Sequence, residues 1–130
     1  MREILFRGKS KAYNEWLISE CIGSYVSNDG IKHIDLWVNN SGWFEVIPET
    51  VSQFTGLLDR HGKRLFEKDI VKNKNNGIFV VEWLNNDYYF GYYITDADGL
   101  ALLSKDYIQR NDIEIIGNQF DTPELLKEQP

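Results

Sequence analysis

A single cysteine, Cys21, excludes an internal disulfide and any multi-cysteine zinc site. It lies in Ile18-Ser19-Glu20-Cys21-Ile22-Gly23-Ser24-Tyr25, where a buried strand position is the expected setting for a thiol. The two histidines, His33 and His61, are distant from it in sequence and form no local base pair with it. No His-x-x-x-His or His-x-Glu metal spacing occurs, and Gly8, Gly23 and Gly30 are too far apart for a phosphate-cradling loop. Apolar runs stay well short of the about 20 residues that span a bilayer. The N-terminal residues return to charge too soon for a secretory leader. A basic excess is missing too: the net charge is −6, which argues against a broad nucleic-acid surface. These absences lead to the expectation of a cytoplasmic protein with no membrane partner and no cofactor. The carboxylate pairs Asp96/Asp98 and Asp112/Glu114 read as solvated or structural groups rather than as an acid–base pair.

What is present is apolar and aromatic. At 42% hydrophobic and 14% aromatic residues the chain has the material for a folded core. Turn signals recur at close spacing, so the expectation is a mainly β protein. Strands are expected over 2–7, 13–18, 20–26, 31–38 and 43–47, with Gly8-Lys9-Ser10-Lys11 as a loop and Asp29-Gly30 as a hairpin turn. Residues 31–38 alternate Ile34, Leu36 and Val38 against His33, Asp35 and Trp37, the pattern of a strand with one wet face.

The stretch 51–72 organises the rest. Val51, Phe54 and Leu57 suit a half-buried strand that Gly56 ends, and Asp59-Arg60-His61-Gly62 has the chemistry of a β-turn, acid first and glycine last. Leu65, Phe66, Ile70 and Val71 follow as buried side chains. Glu67 and Asp69 are expected to receive backbone hydrogen bonds rather than to do chemistry. Residues 59–75 carry six basic side chains against three acidic ones. Such a cluster reads first as solvated surface and second as a phosphate-contacting patch through Arg60, Lys63, Arg64 and Lys68.

Downstream, Asn75-Asn76-Gly77 signals a type I′ hairpin between strands at 69–72 and 78–84. A further strand is expected over 88–94, with Gly91 as a bulge or close approach, then one over 100–103. A helical turn capped by Ser104 precedes a last strand over 113–118, and 121–126 carries a helix-start signal at Thr122-Pro123. Five short strands with a helical turn before the last resemble an SH3-like small barrel.

Gln53-Phe54-Thr55-Gly56-Leu57, Asp59, Gly62-Lys63 and Phe66-Glu67-Lys68-Asp69-Ile70-Val71-Lys72 together resemble the signature of the YopX family of bacteriophages and prophages. The opening residues 2–7 and the closing 113–118 and 123–126 are similar to that family's ends, so the resemblance covers nearly the whole chain. It implies a single domain over 1–130, in which we expect a β subdomain (1–50), a connecting motif (51–68) and a barrel subdomain (69–130). It brings the motif residues Phe54, Thr55, Gly56, Leu57, Asp59, Gly62, Phe66, Glu67, Asp69, Ile70 and Val71 as structural positions and no catalytic or metal-binding residue. Lys68 stands where the family more often has glycine, from which a positive φ at that position is not expected.

Three functional readings follow. The first is a non-enzymatic binding module of a phage or prophage that acts through an unidentified protein partner or a second copy of itself. It uses an outward aromatic ladder of Trp83, Tyr89 and Tyr93. The second is a weak nucleic-acid reader built on Arg60, Lys63, Arg64 and Lys68. The third is an enzyme using Cys21, Glu67 or Asp69.

Overall fold

The structure, a computed structural model, describes residues 3–85, 90–96 and 99–127. The chain is mainly β, built from small antiparallel sheets with a short C-terminal helix, and divides into two compact units, Met1–Phe54 and Thr55–Pro130.

In the first unit, β1 (Phe6–Lys9), β2 (Trp16–Ser19), β3 (Ile22–Val26), β4 (Lys32–Val38) and β5 (Gly42–Val46) lead through a 3-10 turn at Pro48–Thr50 into β6 (Ser52–Leu58). β1 pairs with β2 on one side and with the start of β6 on the other, and β3-β4-β5 form a separate meander. Gly8 and Lys9, expected as loop, are strand. Gly8 faces Val46 so closely that an added Cβ would lie 3.0 Å from it, and Ser10 bridges to Val46. A sequence pattern cannot show that approach, because glycine and lysine signal turns when no partner is known. Asp29-Gly30 does turn the β3–β4 hairpin, with Gly30 at φ 82° and Asp29 Oδ1 accepting the Ile31 N–H at 3.2 Å. Cys21 is exposed and lies between β2 and β3 rather than inside a strand. Its neighbour Ser19 is the buried residue, with its hydroxyl on the Trp37 carbonyl at 2.6 Å.

The second unit contains β7 (Arg64–Phe66), β8 (Asp69–Lys72), β9 (Ile78–Val80), β10 (Glu82–Asn85), β11 (Phe90–Asp96), β12 (Gly99–Leu102), α1 (Lys105–Asn111), β13 (Glu114–Asn118) and α2 (Glu124–Lys127). Its sheets have the orders β13-β8-β9 and β10-β11-β12, and the end of β6 neighbours β7. The core gathers Leu65 of β7 with Val71, Val81, Tyr92, Ile94, Leu103, Ile108 and Ile113, which lie in or beside the two sheets and the helix. Burying a side chain of this size contributes roughly 1.5–3 kcal/mol, so the two sheets and α1 stabilise one another mainly through this cluster.

Several local expectations are corrected here. β6 does not end at Gly56 but runs to Leu58. Gly56 takes φ 86°, and the Thr55 hydroxyl accepts the Leu57 N–H at 3.1 Å while donating to the Leu65 carbonyl at 2.8 Å. The 78–84 run is two strands, not one. It breaks at fully buried Val81, whose N–H donates to the Asp69 carbonyl and whose carbonyl accepts from the Lys68 N–H, so the chain passes there from one sheet to the next. Asn75-Asn76-Gly77 is not a type I′ turn, since only Asn76 has positive φ (66°). Asn73 Oδ1 accepts the Asn75 and Gly77 N–H groups and closes a longer loop. Ser104 caps α1 as expected, accepting the Tyr107 N–H at 3.1 Å. Thr122 bonds back to Asn118 through its hydroxyl, and Gly117 is needed beside it, because a Cβ there would lie 2.1 Å from Thr122 Oγ1.

Lys68 is the sharpest departure. It adopts φ 73° despite its side chain. The turn is fixed from three sides: the Lys68 N–H on Val81, the Gln119 N–H on the Lys68 carbonyl, and the Phe66 N–H on Asp69 Oδ2 at 2.8 Å. Those bonds hold the backbone whatever residue occupies the position. The left-handed conformation costs an L residue about 1–2 kcal/mol, of which glycine's greater unfolded-state freedom offsets roughly half. Replacement Lys68→Gly should therefore stabilise the protein by about 0.5–1 kcal/mol in chemical denaturation. A destabilised variant would contradict this account of the turn.

Candidate functional site

The polar motif residues Thr55, Asp59 and Asp69 are engaged with backbone. Asp59 is 5% exposed and Asp69 1% exposed. Asp59 Oδ1 accepts the N–H groups of His61 (2.8 Å) and Lys63 (2.9 Å), and Oδ2 accepts that of Ile115 (3.0 Å). Gly62, at φ 82°, closes the turn with its N–H on the Asp59 carbonyl. Ile70 is fully buried, Phe66 is 3% exposed, and Glu67 is half-buried beside the Lys68 turn.

The basic segment is not one open patch. Arg60, Lys63 and Arg64 are exposed and Lys68 is half-buried in its turn. Lys72 lies 3.4 Å from Glu114 Oε1, and Lys74 Nζ donates to the Arg110 carbonyl at 2.9 Å. His61 Nε2 is 3.0 Å from Glu114 Oε2, and that bond, ahead of Lys72, holds the Glu114 carboxyl below the usual carboxylate range.

The proposed aromatic ladder is also corrected. Tyr89 lies outside the described residues. In the pairing of β10 with β11, Trp83 is opposite Tyr92 and Glu82 opposite Tyr93, so alternation puts Trp83 and Tyr93 on different faces. Trp83 stands edge-on to buried Tyr92, with ring centroids 4.8 Å apart. Tyr93 shares its face with Leu102, its cross-strand partner in β12.

An exposed aromatic surface lies instead in the first unit. In β3-β4-β5 the registers Ile22↔Leu36↔Phe44 and Ser24↔Ile34↔Val46 put apolar side chains on one face, where Leu36 and Val46 are fully buried. The opposite face carries Tyr25↔His33, Gly23↔Asp35↔Glu45 and Trp37↔Trp43. Trp37 is 39% exposed, Trp43 51% and Tyr25 51%. The two indoles meet edge to face at 5.4 Å, and Trp43 reaches over Gly23, where an added Cβ would lie 3.6 Å from its ring. His33 lies flat on Tyr25 at 4.7 Å and 8°. The signal was legible as the wet side of β4, His33-x-Asp35-x-Trp37. Which β5 and β3 residues complete it depends on register, which one strand does not supply.

A polar brace borders the rings. Glu45 Oε2 takes both Lys11 Nζ at 2.8 Å and His33 Nδ1 at 2.6 Å, while His33 Nε2 is 3.1 Å from the Ser27 hydroxyl. That hydroxyl also bonds Asp29, whose carboxyl it holds low. Both ring nitrogens of His33 thus have partners other than Cys21. Among the described residues no group of three or more His, Cys, Asp or Glu side chains is placed to hold a metal ion, and no helix is long and apolar enough to cross a membrane.

The brace makes stability depend on pH in a set direction. Glu45 is held below the usual carboxylate range, first by Lys11 and then by His33. A depressed folded-state pKa adds stability above the unfolded value, and that stability is lost as pH falls through the folded value. The margin of the wild type over Glu45→Gln should be full at neutral pH and disappear in acid below the carboxylate range. A margin unchanged from about pH 7 to about pH 3 would contradict the brace.

Comparison with known proteins agrees with the motif. The family described as YopX protein matches residues 5–127. No curated protein matches the chain. Among solved structures, the crystal structure of protein EF1440 from Enterococcus faecalis is similar in fold, with a TM-score of 0.58 at 20% identity over 97% of this chain and 99% of that one. The family match spans nearly the whole chain, from the residues before β1 to α2, and the chain belongs to the YopX family.

Proposed function

We propose that the protein is a non-enzymatic β-rich binding module, an accessory protein of a bacteriophage or prophage that acts in the host cytoplasm through contacts with another protein. With this goes the reading of the second unit as an SH3-like barrel that serves as scaffold. The observation that carries the proposal is the aromatic face of β3-β4-β5, where Trp37, Trp43 and Tyr25 stand exposed around Gly23 on a face whose opposite side is core. Large amphipathic rings on a rigid sheet give contact area at low entropic cost, which is why tryptophan and tyrosine dominate binding hot spots.

Charge indicates the kind of partner. The chain carries −6 overall, and Asp35 lies among the rings in the Gly23↔Asp35↔Glu45 row. Trp16, by contrast, already has the Arg7 guanidinium 4.9 Å from its centre and Lys9 at 5.7 Å. Among the described residues no cation is placed over Trp37 or Trp43. A partner segment with exposed arginine side chains suits them, its cations over the ring faces and beside Asp35.

A cation over tryptophan contributes about 0.5–2 kcal/mol, so removing both rings should weaken binding by about tenfold or more. Short arginine-bearing peptides titrated against the protein, with glutamate-bearing peptides of the same length as control, test this. Saturable binding of the first set only, lost in Trp37→Ala/Trp43→Ala, is expected. Equal affinity of wild type and variant would overturn the assignment of the face. A concentration-dependent dimer abolished by Trp43→Ala would replace the separate partner with a second copy of this chain.

A further inference from the structure

The loop tied down by Asp59 and the helix α1 border a cavity of about 480 Å³ within the second unit. Its volume falls in the roughly 300–1,000 Å³ range of small-molecule sites. The lining is apolar at Leu57, Leu58 and Ile108, and Ile108 is 3% exposed, a member of the core. Two cations also line the cavity, Arg60 on the loop and Lys105 on α1, with Gln109 one helical turn beyond Lys105. Gly62 also lines it, and a Cβ added there would meet nothing within 4 Å.

The charge balance of this cavity is one-sided. Its only acid is Asp59, and both of that carboxylate's oxygens are occupied by backbone N–H groups from His61, Lys63 and Ile115. Glu114, whose charge Arg60 also feels, bonds instead to His61 Nε2 and Lys72 Nζ. Arg60 and Lys105 thus face the cavity with no acid of its lining free to answer them. In a protein of net charge −6, the lining thus carries a local excess of positive charge.

We propose that this cavity binds a small anion bearing an apolar group. The carboxylate or phosphate head lies between Arg60 and Lys105, and the hydrocarbon or ring packs on Leu57 and Leu58. A charged head is held by charge-assisted hydrogen bonds, which a guanidinium makes in a bidentate fork and an ammonium as a point charge. The apolar group gains by leaving water for the leucine side chains of the lining. Two sources supply that chemistry: a free organic acid, or the C-terminal carboxylate of a peptide that ends in an apolar residue. The site is independent of the aromatic face of the first unit, so either assignment can fail without the other.

Amide chemical shifts of residues 56–62 and 105–109 follow the site directly. Hexanoate, a short peptide ending in leucine with a free carboxylate, and the neutral amides of both serve as probes. The carboxylates should shift those resonances saturably and the amides should not. The double variant Arg60→Ala/Lys105→Ala should weaken binding by about tenfold or more, because two charge-assisted contacts are lost. Lys105→Arg, which keeps the charge, should retain it. Binding of hexanoate alone assigns the cavity to free acids, and binding of the peptide alone assigns it to a protein C-terminus. The proposal is overturned if neither carboxylate shifts the cavity amides at millimolar concentration, or if the charged and neutral probes bind alike.

Discussion

One carboxylate sets the geometry on which the second unit rests. Asp59 is buried at the end of β6 and accepts three backbone N–H groups, two from its own turn and one from Ile115 in β13. A buried charge costs several kcal/mol unless its lone pairs are satisfied, and buried N–H groups carry a smaller cost of the same kind. Each side of this arrangement removes the other's penalty. The neighbouring backbone bond from the Arg60 N–H to the Ile113 carbonyl makes the link double, so the last strand of the chain is fastened to the loop that follows β6.

From that fastening the rest of the unit follows in order. β13 pairs with β8, and β8 pairs with β9. The Lys68 turn and the break at Val81 then carry the chain into the β10-β11-β12 sheet. Asp69 repeats on a smaller scale what Asp59 does, accepting the Phe66 N–H across the turn. Among the motif residues Asp59, Gly62 and Asp69 thus close turns while Phe54, Phe66, Ile70 and Val71 are buried, and none of them lies on the aromatic face of the first unit. In the first unit the division is by face: Leu36 and Val46 take the core side of the meander, and Trp37, Trp43 and Tyr25 are left on the other.

How much of this the sequence discloses depends on the range of the interaction. Local chemistry was legible: Asp59-Arg60-His61-Gly62 as a turn, Asp29-Gly30 as a hairpin and Ser104 as a cap each require only neighbours in the chain. Tertiary approaches were not. Gly8 becomes strand because Val46 lies against it, the 78–84 run breaks because Val81 bonds to Lys68 and Asp69, and Lys68 is forced to φ 73° by bonds to Val81 and Gln119. The aromatic face shows the same limit. His33, Asp35 and Trp37 were visible as one wet side of a strand, but the partners Tyr25 and Trp43 join them only once register is known. Trp83 and Tyr93, close in the sheet, prove to point to opposite sides of it.

Chemical denaturation of Asp59→Ala tests the central claim most directly. Hydrogen bonds to a charged acceptor contribute about 1.5–3 kcal/mol each, and the buried donors left behind add their own cost. The account predicts a loss of about 3 kcal/mol or more, with fast amide exchange appearing at His61, Lys63 and Ile115 together. A loss within about 0.5 kcal/mol, the range of an ordinary surface substitution, would contradict it.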